Sequence, residues 1–234
     1  MRLDARSLGT TLVVAPHPDD ESLGCGGLIA LLRSHGHRVH LLVTTDGVGS
    51  HPNSRQYPPD RLREHRYQEV RCAAGMLGVE ADEITFLHCP DRFVPVSGSP
   101  GFPAVVDLVT ELLHVIEPQT IVVPWRRDRH CDHEASWQIL REATGQSHFT
   151  GRWLEYHVWL PELGDADAFP KPGEMCRLEL DISAVLDQKR QAIAEHRSQT
   201  TDLISDDPNG FRLSPETLAR FDEPIEIYLE PNDD

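Results

Sequence analysis

Apolar and polar positions alternate in blocks along the first two thirds of the chain. TLVVAP (11–16) is a short apolar run rich in β-branched residues; the polar block HPDDES follows, and then LIALLRS leads to Gly36. A short continuous apolar run suits a strand buried on both faces, and the glycine suits a helix stop. RVHLLVTTDG (38–47) predicts a second strand ending in turn chemistry. After the polar loop SHPNSRQYPPD, Asp60 is placed to cap a helix running to about Leu77-Gly78. EITFLH (83–88) predicts a third strand. Phe102, Val105, Val106, Val109, Leu112, Leu113 and Ile116 recur at helical spacing and form one apolar stripe. TIVVPW (120–125) predicts a fourth strand, with a helix starting near His133.

The order β-α-β-α-β-α-β-α predicts an α/β fold: a Rossmann-like, mostly parallel sheet with helices on both faces and the active site at the C-terminal strand ends. Beyond about residue 150 the pattern weakens. YHVWL and CRLELDI read as strands, SAVLDQKRQAIAEH as a helix and EPIEIYLE as a late strand. The acidic, proline-punctuated stretch 161–175 suits a lid, an interface or a solvated loop. With no internal repeat and no linker, residues 1–234 are expected to form a single domain.

Composition narrows the function classes. Hydrophobic content of 39% and charged content of 26% are those of a globular protein. No apolar run approaches the roughly 18 residues of a membrane span. MRLDARSLGT lacks the basic-then-apolar order of a secretory signal. The absence of both predicts a soluble, cytoplasmic protein; Cys25, Cys72, Cys89, Cys131 and Cys176 are odd in number, scattered and without a CxxC pair, which predicts reduced thiols. A net charge of −16 argues against a nucleic-acid partner, which selects a basic face. LGCGGL (23–28) is not GxGxxG, and carboxylates occupy the first βα turn, where they would repel a pyrophosphate.

The candidate chemistry lies at two strand ends. His17, Asp19 and Asp20 follow the first strand; WRRDRHCDHEA brings His130, Asp132 and His133 to the end of the fourth. In open α/β sheets those ends share one edge, so the two clusters are expected to converge. Imidazole and carboxylate donors without thiolate pairing suit zinc or a similar divalent ion such as Fe2+. His17, Asp20 and His133 are the three candidate metal ligands, leaving a position for water. Asp19 is the candidate general base; His130, protonated, is a candidate to stabilise an oxyanion or protonate a leaving amine. The competing local reading is that Asp19, Asp20 or Ser22 caps a helix and the histidines lie on the surface. Cys25, Cys131 or Ser22 as a nucleophile has no support beyond proximity.

PHPDDE, an apolar helix and a later HCDH after an apolar strand together resemble the LmbE-like, or PIG-L, deacetylase family. Arg66-Tyr-Gln-Glu69 with Leu77-Gly78-Val79, Asp91 after the third strand, and Lys189, Ala192 and His196-Arg-Ser-Gln199 extend the resemblance over about residues 11–199. It implies zinc-dependent removal of an acyl group, usually acetyl, from a small N-acetylglucosamine-type conjugate, with His17, Asp20 and His133 holding zinc and Asp19 as base. By the same resemblance His130 assists the oxyanion or leaving group, and Arg66 and Asp91 bind substrate. Cys131 departs from the family's usual proline in the second motif. Two other readings stay open: a zinc amidase acting on a larger thiol or peptide-like conjugate, and a metal- or ligand-binding protein without turnover. Oligomeric state is not legible.

Overall fold

A computed structural model describes residues 1–232. Seven strands form one sheet: β1 (Thr11–Ala15), β2 (Val39–Thr45), β3 (Ile84–Cys89), β4 (Thr120–Pro124), β5 (Arg152–Tyr156), β6 (Met175–Asp181) and β7 (Ile225–Pro231), in spatial order β3-β2-β1-β4-β5-β7-β6. β1 to β5 run parallel; β7 is antiparallel to both its neighbours, β5 and β6. The helices are α1 (Asp20–Ser34), α2 (Pro59–Met76), α3 (Phe102–Ile116), α4 (Cys131–Gln146), α5 (Leu160–Leu163), α6 (Leu186–Glu195), α7 (Arg197–Thr200) and α8 (Pro215–Arg220).

Strand alternation divides the core. Val13, Leu41, Val122 and Leu154 pack with α1, α2 and α6 on one face, while Leu12, Val14, Leu42, Ile121 and Val123 pack with α3 and α4 on the other. The stripe predicted over 102–116 supplies that second layer: Phe102, Val106, Val109, Leu113 and Ile116 are buried. Strand order reverses between β1 and β4, so a crevice opens beyond their carboxyl ends. Both ligand-type clusters therefore emerge at one switch point.

Several local expectations shift. Pro59 begins α2 and Asp60 lies in its first turn, so Asp60 adds charge at the helix N-terminus without capping it. YHVWL is not a strand beyond Tyr156. The backbone N–H groups of Val158, Trp159 and Leu160 all donate to the Asp128 carboxylate, which takes them out of the ladder and turns the chain. The stretch 161–175 is tied to the loop after β4 by Arg127–Glu174 and Arg129–Asp165 ion pairs, and its Ala168 carbonyl accepts from the buried Trp125 indole. The glycines of LGCGGL serve packing: a Cβ on Gly24 would meet the Tyr156 ring and one on Gly27 would meet Ile182. Among the described residues no helix is long and apolar enough to cross a membrane.

Candidate metal centre and cleft

Asp19 and Asp20 sit where the chain leaves β1 and enters α1. Asp20 Oδ2 accepts from the His17 backbone N–H at 2.8 Å and lies 3.2 Å from His17 Nδ1. The same oxygen lies 3.2 Å from His133 Nε2, contributed by the first turn of α4. Donors at about 2.0–2.1 Å around a tetrahedral zinc stand about 3.3 Å apart, which is the separation of Asp20 from each of the two imidazoles. His133 is fully buried and neither ring nitrogen meets hydrogen-bond geometry; a cation would satisfy Nε2, while Nδ1 lies beside Asp128.

Each imidazole has a carboxylate on its other side. His17 Nε2 is 3.0 Å from Asp132 Oδ2, and His133 Nδ1 is 2.9 Å from Asp128 Oδ2. Carboxylates placed so select the tautomer that leaves the opposite nitrogen as a metal donor. Asp132 is itself held by the Arg92 and Val94 N–H groups, and Asp128 by those of Val158, Trp159 and Leu160. Burial opposes charge on His133, yet Asp20 and Asp128 raise it to about 9. The cluster thus selects positive charge at its centre, which a divalent cation supplies by displacing protons from the rings. The nitrogens of His17, His130 and His133 also lie within 4.8 Å of one another.

Asp19 resolves the capping question. It occupies the N-cap position of α1 but makes no cap hydrogen bond, and its backbone is strained at φ 147°. Its carboxylate, 6% exposed, lies 3.3 Å from the Arg66 guanidinium. Burial pushes Asp19 up to about 7, the Arg66 charge pulling the other way. Arg66 is almost wholly committed to the fold: it donates to the carbonyls of Gly47 (2.7 Å) and Pro18 (2.6 Å). It lines the cleft, but its charge is directed at Asp19. Asp91 also lines the cleft, with Oδ2 accepting from Gly49 N–H at 3.0 Å and Oδ1 3.6 Å from His17 Nε2.

His130 caps α4, its Nδ1 accepting from the Asp132 N–H at 3.2 Å. The neutral ring then carries its proton on Nε2. Burial, with His17 and His133 adding to it, holds His130 down to about 4, which favours the uncharged ring as a donor. Of the late residues, Gln199 lines the cleft, whereas His196 is buried against Glu21 (2.8 Å) and locks α7 to the start of α1.

The cleft is lined on one side by Trp159 and Phe211, an aromatic wall whose ring centroids are 5.8 Å apart. Sequence reasoning missed this wall, Arg92 at the mouth, and the orienting roles of Asp128 and Asp132. For Asp128 the only local signal is a carboxylate inside WRRDRHCDHEA.

A family model described as PIG-L, GlcNAc-PI de-N-acetylase, matches residues 12–144, more than half of the chain and both clusters. The chain belongs to the PIG-L family. The chain is 29% identical over 218 residues to a 2'-N-acetylparomamine deacetylase of Streptomyces fradiae, covering 83% of this chain and 75% of the relative. It is 26% identical to a 1D-myo-inositol 2-acetamido-2-deoxy-alpha-D-glucopyranoside deacetylase of Rhodococcus opacus, covering 81% of each. The N,N'-diacetylchitobiose deacetylase of Pyrococcus horikoshii superposes with a TM-score of 0.72 at 23% identity, over 97% of this chain and 85% of that one, a likeness of fold.

Proposed function

We propose that this PIG-L member is a zinc-dependent hydrolase that removes an acyl group, usually acetyl, from the amide nitrogen of a small N-acetylglucosamine-type conjugate. The observation that carries the reading is the Asp20 oxygen 3.2 Å from a nitrogen of both His17 and His133, each ring backed by a buried carboxylate, with Asp19 beside them outside that set. His17, Asp20 and His133 would hold the metal; Fe2+ suits the same donors. When bound, the ion supplies Lewis acidity toward the amide carbonyl and lowers the pKa of water toward about 7.

The chain's own residues supply the rest. Asp19, held by Arg66, takes the proton of the attacking water and returns it to the departing amine, the acyl group leaving as a carboxylic acid. The Nε2–H of neutral His130 donates to the carbonyl oxygen as charge builds there. Asp91, braced by Gly49 N–H, accepts from a sugar hydroxyl, and the Trp159–Phe211 wall covers an apolar sugar face. Five free cysteines support a cytoplasmic location for this chemistry.

The test is amine release from a panel of N-acyl amino sugars, with and without chelator. Turnover should be chelator-sensitive and restored by zinc. Asp19→Asn should keep stoichiometric metal while kcat falls by about 10²–10⁴. Full activity in Asp19→Asn refutes the base assignment, and chelator-insensitive release refutes the metal.

A further inference from the structure

We propose that Arg92 reads the charge of the group joined to the amino sugar, and that the preferred substrate is an anionic conjugate carrying a carboxylate or phosphate next to the sugar. The inference rests on the deacetylase reading above and adds a specificity determinant to it.

The chain holds 38 acidic residues against 22 lysines and arginines. Among the described residues 16 of those 22 cations lie within 4.0 Å of a carboxylate. Of the six without such a partner, Arg92 alone lines the cleft. The cleft has carboxylates of its own, yet none neutralises it. Asp19 faces Arg66, Asp20 faces the two imidazoles, and Asp91 accepts from Gly49 N–H. Two guanidiniums therefore share one pocket in opposite states. Arg66 is buried and bonded to two carbonyls and Asp19; Arg92 is exposed at the mouth with its side chain unbonded.

The backbone of Arg92, by contrast, is held tightly. Its N–H donates to Asp132 Oδ2 at 2.7 Å, the same oxygen that steadies His17, and its carbonyl accepts a weak bond from Cys131 Sγ at 3.9 Å. Its φ is 69°, a left-handed conformation that favours glycine or asparagine and strains an arginine. A strained, pinned backbone thus presents an unpaired planar cation within one carboxylate of a proposed metal ligand. Guanidinium offers parallel N–H donors that match a carboxylate or phosphate in a bidentate way, and a neutral polyol lacks that complement.

The experiment uses the full-length, zinc-loaded protein and four probes: methyl N-acetylglucosaminide, N-acetylglucosamine 1-phosphate, the N-acetylglucosaminide of a hydroxy acid, and the methyl ester of that conjugate. Wild-type kcat/KM should favour at least one anionic probe over its neutral counterpart by about tenfold or more, mainly through KM and less so at high salt. The phosphate and carboxylate arms tell which anion is read. Arg92→Gln should lose about tenfold more on the anionic than on the neutral probe, with Arg92→Lys keeping part of the preference. Metal stoichiometry, read separately, reports whether the His17–Asp132 contact survives the substitution. Equal wild-type turnover of acid and ester overturns the proposal, as does an equal loss on all probes in Arg92→Gln. Turnover of the neutral probes with rejection of the anions overturns it while leaving the deacetylase reading standing. No turnover of any probe overturns both.

Discussion

Replacing Asp128 by Asn should weaken both the fold and metal binding although the side chain barely changes size. Asp128 is fully buried. One oxygen accepts from Val158 N–H at 2.9 Å and faces His133 Nδ1 at 2.9 Å; the other accepts from Trp159 at 2.9 Å and from Leu160. An amide turns one of those oxygens into a donor whichever way it is placed. With its NH2 toward Val158, one backbone N–H is orphaned and His133 is pushed to the tautomer that protonates Nε2, the nitrogen assigned to the metal. With its NH2 toward Leu160, the Leu160 N–H loses its acceptor, while the Trp159 N–H keeps the other oxygen at 3.1 Å. Either placement orphans one donor, which costs about 1–3 kcal/mol, so the substitution should destabilise by that amount. Loss of the carboxylate behind His133 should also weaken zinc by about 10–100-fold. Urea unfolding of the chelated and zinc-loaded protein measures the first, and competition with a chromogenic chelator the second. Zinc affinity within twofold of wild type would refute the orienting role. Stability within 0.5 kcal/mol would refute the claim that Asp128 terminates β5.

Other predictions follow from local geometry. Cys131 is the first residue of α4, preceded by His130 in an extended conformation (φ −139°, ψ 131°), and proline is at home at that position. Cys131→Pro should therefore raise stability by about 0.4–1 kcal/mol, read from the urea midpoint, and a loss of more than 1 kcal/mol would contradict it. Lys189 and Glu226 form a buried pair at 2.8 Å, and Glu226 also accepts from the Gly27 and Leu28 N–H groups of α1. Lys189→Met removes the counter-charge while keeping the apolar stem, and should destabilise by about 3 kcal/mol in the same assay; a change below 0.5 kcal/mol would show the carboxylate satisfied by its other donors.

Much of this molecule is local and therefore legible in the chain. Parallel strands covered on both faces must be short apolar runs, so TLVVAP, RVHLLVTT and TIVVPW mark β1, β2 and β4 within a residue or two. The stripe from Phe102 to Ile116 names α3 because a helix exposes one face per 3.6 residues. The βα order brings the ends of β1 and β4 together, so the meeting of His17 and Asp20 with His133 follows from topology alone. Partner choice is another matter. His17 and Asp132 are 115 residues apart, and Asp128 decides where β5 stops from across the sheet edge. The antiparallel insertion of β7 likewise depends on which edge was left unpaired, not on its own alternation. Arg66 and Arg92 are the same residue type in polar surroundings, yet one is bonded to two carbonyls and the other has no side-chain partner among the described residues. Periodicity along a chain encodes which face is dry; a hydrogen bond or ion pair depends on what the folded chain brings within about 3 Å, and only the tertiary structure sets that distance.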